Sequence, residues 1–177
     1  MAPSPGAIIR LVQEMVIYGV SFDMVGKQPI VLLKTAEGNR FLPIWIGHNE
    51  AAAILMKLQG ASTPRPLTHD LVTEILGQLD AQVVRIIVTE LRENTFFAEI
   101  TVQQDGAEIQ IDSRPSDAIA LALRADAPIY AADEVIEESA IEFEGEEVDE
   151  EAIVSEFKSF LDEVTPEEFA IEDEEEG

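Results

Sequence analysis

The run Ile111-Asp112-Ser113-Arg114-Pro115-Ser116-Asp117-Ala118-Ile119-Ala120-Leu121-Ala122-Leu123-Arg124 decides the fold. An apolar strand ends at Asp112 and a proline-containing junction follows. Ser116 then stands where a helix N-cap belongs, with Asp117 in the first turn and Ile119, Ala120 and Leu123 behind it. Sixty-seven residues upstream the same layout recurs with low residue identity. Ile44 stands for Ile111, Asn49 for Ser116, Glu50 for Asp117, Ala51 for Ala118 and Ala53 for Ala120, and Val16 stands for Val83.

Reading outward from these two junctions gives the same order of elements twice. In the first half, residues 16–23, 29–35 and 40–46 read as strands, the last two joined by the turn Ala36-Glu37-Gly38-Asn39. Asn49 reads as the cap of a helix whose stripe is Ala51, Ile54, Leu55 and Leu58. After a Pro-rich loop at 60–66, Thr68 caps a second helix with a buried stripe of Leu71, Val72, Ile75, Leu76 and Leu79. In the second half, residues 83–91, 96–102 and 107–112 read as strands. The helix from Ser116 follows, then a proline-containing loop at 127–132 and a helical pattern at 133–139. The expectation is an α/β chain of the α+β type, with a three-strand, two-helix unit duplicated over about 16–80 and 83–144.

Charge divides the chain differently. Residues 1–140 carry 10 Lys and Arg against 19 Asp and Glu, while residues 141–177 carry one against 17. Sixteen of the 25 net negative charges therefore lie in the last 37 residues, an acidic tail over 146–177 that is a separate electrostatic object. Within it Ile153, Phe157, Phe160, Leu161 and Val164 keep helical spacing up to Pro166, the pattern of a short amphipathic helix for the body or a protein partner. The stretch 172–177 reads as disordered. Residues 1–14 read as an N-terminal extension, with Met15 a possible start, ahead of a domain over 15–145.

Composition excludes several chemistries. Cysteine is absent, which removes disulfides, thiolate zinc sites and a cysteine nucleophile. The overall charge lacks the basic footprint of a simple nucleic-acid-binding module. No apolar run approaches the roughly 18 residues of a membrane span, and the start has no signal-peptide pattern. A cytoplasmic location without membrane contact is the expectation.

Polar residues gather at three junctions, 42–54, 65–71 and 112–124. The run Arg114-Pro115-Ser116-Asp117-Ala118-Ile119-Ala120-Leu121-Ala122 is supported by Arg65-Pro66-Leu67-Thr68-His69-Asp70 and Pro43-Ile44-Trp45-Ile46-Gly47. Together they resemble the bifunctional nuclease family, prokaryotic and plant proteins with RNase and DNase activity. The resemblance covers about residues 16–140 and not the tail. It implies a duplicated unit around a single barrel-like mixed sheet with helices packed outside, and RNA and DNA as substrates cleaved with little sequence preference.

Phosphodiester hydrolysis needs an activated water, charge stabilisation on the phosphoryl oxygens and a proton for the leaving oxygen. Glu50, Asp70 and Asp117 are the candidate carboxylates, as general base or as ligands of Mg²⁺ or Mn²⁺. Arg65 and Arg114, with Ser116, are the candidate phosphate-binding residues. His69 is the candidate proton carrier and His48 a weaker one.

Each has a structural use as well. A first-turn acid gains about 0.3–1 kcal/mol from the helix macrodipole. Thr68 and Ser116 can serve as caps, the arginines can pair with the same acids, and Trp45 can be core. A non-enzymatic regulatory or assembly module is therefore the competing function, motivated by the negative surface and the tail. The apolar stretch 43–46 suits core packing and a homo-oligomer contact equally.

Overall fold

The computed structural model describes residues 11–22 and 25–142. The amphipathic pattern at 153–164 and residues 1–10 lie outside the described residues.

Runs rich in apolar residues open each half, and three antiparallel strands result in each. These are β1 (Val12–Phe22), β2 (Pro29–Thr35) and β3 (Arg40–Trp45) in the first half, and β4 (Ala81–Arg92), β5 (Thr95–Gln104) and β6 (Ala107–Ser113) in the second. In the first half α1 (His48–Leu58) and α2 (Thr68–Gln78) follow. In the second, α3 (Pro115–Ala125), β7 (Ile129–Ala132), α4 (Asp133–Ser139) and β8 (Ile141–Glu142) follow. A shift of 67 carries the bounds of α1 onto those of α3, and the start of β3 onto the start of β6. The first strand of each half also has a bulge at nearly the same place, between Ile17 and Gly19 in β1 and between Val83 and Arg85 in β4.

The hairpins differ. In the second half they turn on Glu93-Asn94 and Asp105-Gly106, each pair with both φ angles between 49° and 78°. That is the left-handed geometry of tight two-residue turns, which Asn and Gly favour. The first half spends four residues, 36–39, between β2 and β3.

The eight strands of the described residues form one mixed sheet in the order β6-β5-β4-β7-β1-β2-β3-β8. β7 joins the halves: it runs antiparallel to β1 and parallel to β4. Among the described residues the sheet is not closed, with β6 and β8 as edges, so the expected barrel-like form is not confirmed. The loop expected at 127–132 is corrected. Four residues after a proline are too few to show a period, yet β7 is hydrogen-bonded on both sides. β1 starts at Val12 rather than at 16, because Val12 to Met15 pair with β7.

The helices cover one face of the sheet. Val31, Leu33, Leu42, Ile44, Ile86, Val88 and Ile100 pack there against Ile54, Ile119 and Leu121. α3 is buried from Pro115 to Ala122 except at Asp117, and packs against both α1 and α2. Its alanines Ala118, Ala120 and Ala122 share the core with Ala51, and small side chains let helices approach closely.

The stripe expected on α2 is half right. Val72 and Leu76 pack on the core, but Leu71, Ile75 and Leu79 are about half exposed. The helix is rotated so that His69 is its buried residue. β6 is exposed along almost its whole length, with Ile109 and Ile111 uncovered.

Candidate active site

Three helix starts build the site, and all three follow one rule. α1, α2 and α3 begin after Gly47, Leu67 and Arg114, each of whose carbonyls accepts the first helical hydrogen bond, from Ala51, Leu71 and Ala118. Each helix then carries an acid at its third position: Glu50, Asp70 and Asp117. The caps expected at Asn49, Thr68 and Ser116 are thus corrected by one or two residues. The first-turn acids take over the electrostatic work at the N-termini. Only at α2 is this a direct bond: Asp70 Oδ2 accepts the Leu67 N–H at 2.9 Å. That bond, helped by Arg124, holds the Asp70 carboxyl below the usual carboxylate range. In α3, Pro115 occupies the first helical position, where its missing N–H costs nothing.

A chain of polar contacts then crosses all three helices. His69 Nε2 lies 2.9 Å from Asp117 Oδ1. An ionised carboxylate only accepts, so the pair requires the proton on Nε2. Asp117 Oδ2 accepts from Arg114 Nε at 2.8 Å, and Arg114 Nη2 donates to Glu50 Oε1 at 2.9 Å. Asp117 first and Glu50 second stabilise the guanidinium and raise its pKa further. The Arg114 side chain is 64% exposed, while that of Glu50 is 18% exposed. No bond is formed by Arg114 Nη1 among the described residues, so one edge of the guanidinium faces out.

Gly47 makes the Glu50 position possible. A Cβ on residue 47 would lie 2.2 Å from Glu50 Oε2, so any larger residue displaces the carboxylate that holds Arg114.

A second polar chain runs deeper. Arg124, with a side chain 5% exposed, donates from Nε to Asp70 Oδ1, from Nη1 to Ala120 O at 2.9 Å and from Nη2 to Ala53 O at 3.2 Å. It clasps α2 and α1 to α3. The candidate residues divide accordingly. Glu50, His69, Arg114 and Asp117 are brought together, whereas Asp70 belongs to the Arg124 clasp. Arg65 is exposed and lies with Lys57 and Asp70 around a separate hollow. His48 stands at an open helix start, its ring edge-on to Phe22. Trp45 packs partly against the cluster of Ile30, Leu32 and Phe41.

Among the described residues, no three His, Asp or Glu side chains converge as metal ligands do. Glu50 and Asp117 each commit an oxygen to Arg114, and Asp70 is bound to Leu67 and Arg124. The donor set therefore does not form a carboxylate cage.

Arg114 also stands at the rim of a cleft of about 420 Å³, lined by the β3–α1 and β6–α3 junctions together with residues from both hairpin turns. Sequence reasoning did not single out Arg124 or the cleft residues Gln28, Asn94 and Phe96. A lone basic residue in the last turn of an apolar helix was the only signal for Arg124, and hairpin residues carry none until the turns are placed.

A model of the bifunctional nuclease domain matches residues 31–144. A Mycobacterium tuberculosis protein, itself described as uncharacterized, is 39% identical over 163 residues, covering 88% of this chain and 97% of its own length. Bifunctional nuclease 1 of Oryza sativa subsp. japonica is 28% identical over 103 residues, 56% of this chain and 31% of the rice protein. Bifunctional nuclease 1 of Arabidopsis thaliana is 27% identical over 105 residues, 57% of this chain and 32% of its own. Among the described residues no helix is long and apolar enough to cross a membrane.

Proposed function

The chain belongs to the bifunctional nuclease domain family, and on that premise we propose that it hydrolyses phosphodiester bonds of RNA and DNA at the Glu50–Arg114–Asp117–His69 cluster. The observation that carries this reading is Arg114: an exposed guanidinium, fixed by two carboxylates, with a free edge at the rim of a cleft.

The roles follow from the contacts. Asp117 and Glu50 fix the plane of Arg114, and its outward edge binds the phosphoryl oxygens. A preoriented guanidinium needs no reorganisation as charge grows on those oxygens in the transition state. Glu50 Oε2 is not engaged with Arg114 and takes a proton from the attacking water. The water oxygen bonds to phosphorus as the ester P–O bond breaks. His69, oriented by Asp117, gives a proton to the leaving oxygen. Mg²⁺ or Mn²⁺ bound jointly by protein and substrate phosphate would supply further charge neutralisation, but the three carboxylates do not gather to hold it alone. The net negative charge repels a polyanion at long range, though screening confines that repulsion to about 8 Å at physiological salt.

Cleavage of labelled RNA and single-stranded DNA by the purified chain, with and without chelator, tests this reading against Glu50→Gln and Asp117→Asn. Both variants should lose about 10²-fold or more of the rate while keeping the wild-type melting curve. Full activity in both would remove the site from this cluster.

A second reading, an assembly module, draws on one observation. Ile109 and Ile111 on the edge strand β6, and Leu71, Ile75 and Leu79 at α2, are exposed apolar residues. A monomer at every concentration in light scattering would weigh against self-association.

A further inference from the structure

The cleft at the rim of Arg114 is built on the internal repeat. Six of its lining residues come from each half. Gln28 comes from the β1–β2 turn, and Asn94 from the equivalent β4–β5 turn, with Thr95 and Phe96 at the start of β5. Gly47 and His48 come from the start of α1, and Arg114, Pro115 and Ser116 from the equivalent start of α3. The cleft therefore lies where corresponding elements of the two repeats face each other, a place where duplicated scaffolds leave a shared opening. Its volume, about 420 Å³, falls in the range of small-ligand sites, roughly 300–1,000 Å³.

The lining carries two kinds of chemistry. Trp45 and Phe96 present aromatic surface from different halves, and both are only partly buried. Gln28, Asn94 and Ser116 present amide and hydroxyl groups. Ser116 is 6% exposed and is not a helix cap. It lines the cleft, where its hydroxyl can bond a ligand group. Arg114 adds a guanidinium, 64% exposed, that favours an anion at the cleft.

Aromatic faces, amide groups and an anion-favouring rim together match one ligand class, a nucleotide. We propose that the cleft holds an unpaired nucleobase whose adjoining phosphate lies at Arg114, so that the substrate class is single-stranded rather than duplex nucleic acid. A base in a duplex cannot enter such a cleft without leaving its stack, whereas stacking on aromatic side chains is the general means of holding single strands. The inference rests on the nuclease reading for its substrate, but the binding step stands apart from cleavage.

Trp45 is the only tryptophan of the chain, so its fluorescence reports the cleft directly. Adenosine 5′-monophosphate titrated into the full chain should quench it saturably, after correction for nucleotide absorbance. Ribose 5-phosphate and inorganic phosphate should have little effect. Ser116→Ala should weaken nucleotide binding about threefold to tenfold with an unchanged melting curve. In parallel, a single-stranded oligonucleotide should be cleaved at least tenfold faster than the same sequence in a duplex. Quenching and nucleotide binding without cleavage of any strand would keep the cleft and remove the nuclease reading. Cleavage of duplex and single strand at equal rates, with no response of Trp45 to the nucleotide, would keep the nuclease and overturn the cleft. Equal binding of ribose 5-phosphate and the nucleotide would also overturn it, leaving only a phosphate site.

Discussion

The β3–α1 junction and the β6–α3 junction occupy equivalent places in the two halves, and their chemistry differs. Gly47 leads α1 where Arg114 leads α3; His48 stands for Pro115, Asn49 for Ser116 and Glu50 for Asp117. Only the third-position acid is kept in type. The first junction gives up its side chain at residue 47, and the Glu50 carboxylate leans into the space. The second places an arginine there, long enough to hold its own Asp117 and the Glu50 of the other half. The two halves thus share a similar local frame at these junctions, and Arg114, present in one half alone, ties them together. The same division recurs one helix length on. Lys57 in α1 is exposed, whereas its equivalent Arg124 in α3 is buried and clasps three helices.

The comparison can be broken most sharply at Arg114. Arg114→Ala should lower the cleavage rate by about 10²- to 10³-fold, the effect of removing one preorganised donor from a transition state. Arg124→Ala should instead act on stability. It removes the donor of Asp70 Oδ1 and the Arg124 bonds to Ala120 O and Ala53 O, and a loss of about 2–3 kcal/mol in urea unfolding is expected. Lys57→Ala at the equivalent position should change stability by less than about 0.5 kcal/mol. Equal losses at 57 and 124 would refute the asymmetry. Gly47→Ala should lower activity about tenfold by displacing Glu50 from Arg114, with a smaller effect on unfolding.

The smallest expected effect is a pH dependence. Asp70 has a lowered pKa in the fold, so its contribution is present above its ordinary value near 3.8. It fades as pH falls through the lower folded value, because the unfolded state binds the proton first. Asp70→Asn should therefore lower stability near neutral pH and lose less than the parent chain on acidification below about pH 4. Parallel acid-unfolding curves would show that the Leu67 and Arg124 contacts do not matter to the carboxylate.

The sequence made the frame legible because periodicity survives substitution. The offset of 67 located the strands and α1 and α3 to within a few residues, although little identity remains between the halves. It failed at β7, where four residues show no period and only pairing partners identify a strand. It failed on α2 because five apolar residues were read as one face, while the polar His69 holds the buried position through Asp117. The form of the sheet was hidden for a related reason: closure depends on whether β6 and β8 meet, and neither strand's own residues encode that. At the site, the junction residues were visible as clusters, but their grouping was not. Nothing in the order Arg65, His69, Asp70 and Arg114, Asp117 tells which acid an arginine takes. The fold assigns Asp117 to Arg114 and Asp70 to Arg124, leaving Arg65 outside both chains.

The central claim is that the Arg114 cluster performs the cleavage. Single-turnover cleavage of a labelled single-stranded RNA by the purified chain and by Arg114→Ala, at matched melting temperatures, tests it most directly. The account predicts a rate loss of about 10²-fold or more with folding retained. An Arg114→Ala protein that cleaves at the parent rate would contradict it.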